Sequence, residues 1–213
     1  MHLSFEIFPP KTQEASLELY KKCESLKNFP VNFLSVTSGA MGARAGDIAG
    51  DLRLLSTGIH YPLVPHVTCT YGTKAELEEL SDELWAIGCR GIVALRGDIP
   101  KGFTFTSDHC AYANELIALL KKRHDFDIYV GAYPEKHPLS PSLEADILNL
   151  RRKVDLGVTG IFTQFFFDPL IFLTFRDKIR EAGIKVPLIA GLIPLYPYDK
   201  VASFAKSCHA DIP

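Results

Sequence analysis

The sequence predicts an α/β protein with a parallel sheet, and of the two common architectures it predicts the (β/α)8 TIM barrel, with about seven βα units in this chain. Three observations lead there. Short apolar runs alternate with longer stretches of helical period throughout the 213 residues. The runs are almost continuously apolar, as strands covered on both faces are. After the first run stands "FPPKTQ", where an open dinucleotide-binding sheet would carry its glycine fingerprint.

The first predicted strand, 2–8, alternates Leu3, Phe5 and Ile7 with Ser4 and Glu6, and Pro9 and Pro10 end it just after the acid. Further strands are predicted at 32–38, 62–69, 91–95, 127–133, 160–166 and 186–191. Between the third and fourth, Thr73 and Glu76 form a capping box that opens a helix with Leu77, Leu80, Leu84 and Ile87 on one face and Gly88 as its stop. Ser140 with Pro141 predicts the start of a helix carrying Leu143, Ile147, Leu150 and Val154, and Asp168 with Pro169 predicts another that ends at Gly183. The longest irregular stretch, 96–110, follows the fourth strand; loops of that length in a compact domain are usually functional. A closed barrel needs an eighth strand, whereas this sequence reaches "HADIP" after its seventh helix. The expectation is one catalytic barrel domain over 1–213, C-terminally incomplete by its last βα unit.

A net charge of −2, with 47% hydrophobic and 23% charged residues, gives no electrostatic reason for nucleic acid or an anionic membrane as partner. Five scattered cysteines without a C-x-x-C pair read as reduced thiols in the cytoplasm and make a metal site unexpected. No run approaches the ~18 uninterrupted apolar residues of a membrane span, and no secretory leader is apparent.

Polar residues stand near six successive strand ends: Glu6, Thr37, His66, Asp98, Tyr133 and Gln164. Singly, each reads as a capping or satisfied core residue. In a barrel the six converge on one mouth and describe a pocket for a polar ligand. A carboxyl group partly desolvated there has a raised pKa and can serve as general acid, the role expected of Glu6. Arg96 offers a fork suited to phosphate and Gly97 a tight turn, although an Arg-Gly-Asp turn is also a common solvent loop. Asp146, Asn149 and Lys153 share one strip of a helix, either a salt-bridged surface or a shelf for ribose or pyrophosphate. Tyr198 is an exposed loop aromatic or a stacking platform for a planar ring.

The stretches "SFEIFPPK", "LSVTSGA", "PHVTC", "IVALRGDIP", "GAYPEKHP", "ADILNLRRKVDLG", "TQFFFD" and "GLIP" occur in the order and at about the spacing of the FAD-dependent methylenetetrahydrofolate reductases, which the chain resembles over nearly its whole length. The resemblance implies NADH or NADPH as donor, 5,10-methylenetetrahydrofolate as acceptor, FAD as cofactor, a cytoplasmic location and a homo-oligomer. It implies Glu6 as proton donor and Asp98 as the acid that tunes flavin and pterin. It places Thr37, Ser38, Ala40, His66, Arg96, Gly97, Asp98, Tyr112, Ala113, Tyr133, His137, Asp146, Asn149, Arg152 and Lys153 at FAD-contact positions. Gln164 and Tyr198 fall at substrate positions. Ser38 stands where the bacterial pattern often has tyrosine. Two other readings are a lyase using Lys153 as a Schiff-base amine, disfavoured because that lysine lies on a helix, and a non-catalytic flavin-binding or partner-dependent barrel subunit.

Overall fold

The computed structural model describes residues 3–38 and 47–212, and the chain divides into two compact units, Met1–Asp127 and Ile128–Pro213. The first unit runs β1 (Leu3–Ile7), α1 (Gln13–Ser25), β2 (Val31–Val36), α2 (Ile48–Ser56), β3 (Leu63–Thr68), α3 (Lys74–Ala86), β4 (Gly91–Leu95) and α4 (Ala113–Arg123). Its strands pair in parallel in the order β1-β2-β3-β4. The second unit runs β5 (Asp127–Ala132), α5 (Leu143–Val154), β6 (Gly160–Thr163), α6 (Pro169–Glu181), β7 (Leu188–Ile189) and α7 (Tyr198–Ser207), with parallel pairing β5-β6-β7.

Six of the seven strands fall within the stretches expected and β2 begins one residue early, at Val31; each has a helix after it, which is the βα repeat of the predicted class. Most are shorter than the apolar runs that announced them. Pairing, not hydrophobicity alone, defines a strand, and at β7 only Leu188 and Ile189 register with the neighbour. The capping box at Thr73 forms, with Glu76 accepting from the Thr73 amide and Thr73 from the Glu76 amide. Asp168 caps α6 with Pro169 in its first turn, and Gly183 follows that helix at φ +78°. One start moves: α5 is capped by Ser142, whose hydroxyl accepts from the Ala145 amide, while the Ser140 hydroxyl is spent on the Ser142 carbonyl.

The first strand is also less buried than its alternation implies. Phe5 and Glu6 are both exposed, because β1 is the terminal strand of its sheet and pairs only with β2 among the described residues.

Apolar side chains of strands and helices supply the core of each unit: Leu34, Val67, Ile92, Leu77, Leu116 and Leu120 in the first, Ile128, Val130, Ile161, Phe175 and Ile179 in the second. Within α3, Ser81 is fully buried and its hydroxyl has no hydrogen-bond partner among the described residues. An orphaned buried hydroxyl costs on the order of 1–3 kcal/mol, and alanine is also the better helix former. Ser81→Ala is therefore expected to stabilise the protein by about 1 kcal/mol, seen as a higher urea midpoint at unchanged slope.

Candidate active site

In the first unit, parallel register places Glu6 opposite Ser35 and Ser35 opposite Val64. His66, two residues beyond Val64, thus faces the same side of the sheet as Glu6. Its Nε2 lies 3.6 Å from Glu6 Oε2. This is not an ion pair at neutral pH. The imidazole keeps only 14% of its side-chain surface, and burial pushes its pKa down to about 4, so it is neutral. Glu6 keeps 55% of its side-chain surface, yet desolvation of the remainder raises its pKa, and no described cation holds the carboxylate ionised. The result is an acid with access to solvent and ligand that retains its proton to higher pH than an ordinary glutamate.

The backbone of this rim is fixed by hydrogen bonds between strand ends. The Thr37 amide donates to the Ile7 carbonyl at 3.0 Å, and the Ser38 hydroxyl to the His66 carbonyl at 2.5 Å. Ser38 thereby ties the segment after β2 to β3. Ala40 lies outside the described residues.

After β4, Gly97 adopts φ +77°, and a Cβ there would stand 2.8 Å from Thr68 Cβ and 2.9 Å from Thr70 Oγ1. Only glycine fits both the conformation and the space. The buried Thr68 and Thr70 hydroxyls bond each other at 3.1 Å and form the floor of the turn. Arg96 leaves this turn with its Nε donating to the Ala111 carbonyl at 3.1 Å, Asp98 is exposed, and Tyr112 caps α4, of which Ala113 is the first residue.

In the second unit, the Tyr133 and His137 rings meet edge to face at 4.7 Å. Asp146, in the first turn of α5, accepts the His137 amide proton at 2.5 Å, and Asn149 accepts from Arg152 at 3.0 Å. Lys153 does not lie on the surface strip its spacing allows. Its amine turns inward and donates to the Gly131 carbonyl of β5 at 3.0 Å, and burial brings its pKa down to about 8, against a smaller opposing effect of Asp146. No carboxylate among the described residues stands within salt-bridge distance of it. Gln164 accepts from the Phe165 amide. Beyond β7, the Gly191 amide donates to Thr163 Oγ1 at 2.9 Å, and a Cβ on Gly191 would be 2.3 Å from the Thr163 carbonyl oxygen. Tyr198 opens α7 and is exposed.

The structure thus brings Glu6 to His66, and Asp146 to His137 and toward Lys153. Sequence reasoning missed the Thr68 and Thr70 floor, which no local pattern announces. It also did not single out Phe103, Phe105 and His109, whose rings pack together in the 96–110 loop, although the alternating "FTFT" was a visible signal.

Comparison with known proteins adds two findings. The family model described as methylenetetrahydrofolate reductase matches residues 1–213. The 5,10-methylenetetrahydrofolate reductase of Escherichia coli (strain K12) is 39% identical over 213 residues, all of this chain and 71% of the relative. Methylenetetrahydrofolate reductase 1 of Schizosaccharomyces pombe is 32% identical, over 99% of this chain and 36% of its own length. Among solved structures, an uncharacterised protein from Clostridium thermocellum that binds two copies of 5-methyl-5,6,7,8-tetrahydrofolic acid matches with a TM-score of 0.71 at 17% identity, over 99% of this chain and 72% of that one. A phosphonopyruvate hydrolase in complex with oxalate and Mg++ matches with a TM-score of 0.61 at 16% identity, over 95% and 71%. At such identities the likeness shows the fold, which is of the TIM-barrel class.

Proposed function

The chain belongs to the methylenetetrahydrofolate reductase family, oxidoreductases that reduce 5,10-methylenetetrahydrofolate to 5-methyltetrahydrofolate, and from that premise we propose that Glu6 is the acid of the reaction and FAD its cofactor. One observation carries the assignment: Glu6 sits at the C-terminal end of β1 with its pKa raised by desolvation, beside a histidine that burial keeps neutral. A carboxyl group that keeps its proton to higher pH is better fitted to donate one than an ordinary glutamate.

The residues present fit a flavin dinucleotide. Arg96 has both outer guanidinium nitrogens without a hydrogen bond among the described residues, and Lys153 is a buried cation with no carboxylate at contact distance. Such donors suit diphosphate oxygens. Tyr112 and Tyr198 are exposed aromatic rings suited to stacking. In this reading Thr37, Ser38, His66, Arg96, Gly97, Tyr112, Ala113, Tyr133, His137, Asp146, Asn149, Arg152 and Lys153 are the cofactor residues. Bound there, FAD would supply the hydride chemistry, with NADH or NADPH as donor and the folate as acceptor.

Glu6 donates its proton to a nitrogen of the five-membered folate ring, so that the ring opens to the iminium that can be reduced. Asp98 places a negative charge near the positively charged iminium. Gln164 offers an amide that can donate and accept along the pterin edge, and Tyr198 stacks on a planar ring of substrate or nicotinamide. No helix among the described residues is long and apolar enough to cross a membrane. With its family relatives as the ground, we assign the enzyme to the cytoplasm as a homo-oligomer. The test is anaerobic. Purified protein loaded with FAD should bleach with NADH or NADPH and recover its yellow absorbance on addition of methylenetetrahydrofolate. Bound flavin that neither nucleotide bleaches would favour the non-catalytic alternative.

A further inference from the structure

We infer that Phe105, together with Tyr112, is a positioning residue that holds the Arg96 guanidinium as a pre-oriented fork for a planar pair of acceptor oxygens on the flavin. The inference rests on the flavin reading above and names a residue which that reading does not contain. The Arg96 guanidinium carbon lies 5.7 Å from the Phe105 ring centroid and 4.9 Å from that of Tyr112, within the range of cation–π attraction. Its Nε is committed to the Ala111 carbonyl at 3.1 Å. Neither outer nitrogen meets an acceptor among the described residues, so the Nη pair is left for a ligand. An unrestrained arginine would lose much rotamer freedom on gripping a ligand, whereas one braced in advance has already lost it.

The loop that carries Phe105 is built to hold the ring steady. Phe103 meets Phe105 edge to face at 5.1 Å, and His109 meets Phe103 at 5.3 Å. His109 Nδ1 accepts from the Thr106 hydroxyl at 2.8 Å and from the Thr106 amide at 3.2 Å, and the His109 amide returns a bond to the Thr106 carbonyl. Lys74 fastens the far side, its amine donating to the Ser107 carbonyl at 2.8 Å and its amide to that of Asp108. Phe103 and Phe105 are only partly buried. They do not complete a core; they pack on each other and, through Phe105, on the cation.

The test uses the full chain and four variants: Phe105→Leu, Phe105→Trp, Arg96→Lys, and Phe105→Leu with Arg96→Lys. Dissociation constants for FAD and riboflavin are read from flavin fluorescence, and the Arg96 Nε–Hε signal is read by NMR in the apoprotein. Phe105→Leu should weaken FAD by about tenfold, with its melting temperature within about 2 °C of the parent. Phe105→Trp should restore affinity to within about threefold, since indole is the stronger π partner. In the Arg96→Lys background, where the planar fork is already gone, Phe105→Leu should add less than about twofold. The parent Arg96 Hε signal should be ring-current shifted and slow to exchange. An effect on FAD but not riboflavin assigns the acceptor to phosphate; an equal effect on both assigns it to the isoalloxazine, and either supports the brace. Unchanged FAD affinity in Phe105→Leu, a full additional loss in the Arg96→Lys background, or an unshifted Hε signal overturns it. A parent that binds no flavin overturns the cofactor reading instead, while the Hε signal still reports on the brace.

Discussion

Glu6→Gln is expected to suppress reduction of methylenetetrahydrofolate by about 10²- to 10⁴-fold while leaving reduction of bound flavin by NADH or NADPH within about twofold, because in the proposed cycle only the folate half takes a proton from this residue. Glutamine keeps the shape and one hydrogen-bonding oxygen of the acid but has no proton of suitable acidity to give. The parent should show a pH dependence that the variant lacks. Burial raises the Glu6 pKa, so the protonated form persists upward in pH, and the folate half-reaction should fall as pH rises through that value. His66 cannot be the source of the same fall, since burial has moved its titration down to about 4. In Glu6→Gln the small residual rate should be flat over the same interval. Anaerobic stopped-flow measurement of the two half-reactions separates the effects. Equal loss in both would assign Glu6 to flavin binding instead of proton donation.

The contrast between Glu6 and its surroundings also marks what the amino-acid sequence can and cannot convey. The acid was conspicuous because two prolines close its strand, and the capping box at Thr73 and the Asp168–Pro169 helix start were equally local. Features that depend on two distant segments were not legible. Whether Ser140 or Ser142 capped α5 depended on which hydroxyl was free to turn to the helix. The spacing of Asp146, Asn149 and Lys153 fixed the strip they share but not that the lysine amine would reach a carbonyl of β5. The floor beneath Gly97 comes from β3 and the residues just beyond it, close to Gly97 in space and far in sequence. The exposure of Phe5 follows from the place of β1 at the end of its sheet, which the alternation within one strand does not encode.

Lys153→Met is expected to act in opposite directions on stability and on binding. The amine is moved from 10.5 down to about 8, chiefly by burial. Below pH 8 the folded and unfolded chains are both protonated, and the full cost of burying the charge is present. Between about pH 8 and 10.5 the unfolded chain holds a proton that the folded one has released, so the parent should gain stability as pH rises through that window, by at most roughly 3 kcal/mol. Methionine has a similar length and no charge. At pH 7 the variant should therefore be more stable than the parent by up to about 2 kcal/mol, once about 1 kcal/mol is deducted for the lost hydrogen bond to the Gly131 carbonyl. That advantage should shrink toward pH 10.5, as measured by urea denaturation of the apoprotein at both pH values. FAD affinity should meanwhile fall by about 10- to 100-fold, the worth of one charge-assisted contact. A lysine kept only for structure would behave in reverse, with stability lost at pH 7 and flavin affinity untouched. A buried cation that weakens the empty protein and strengthens the loaded one is what an anion-holding position requires, because the charge is costly only until an opposite charge arrives.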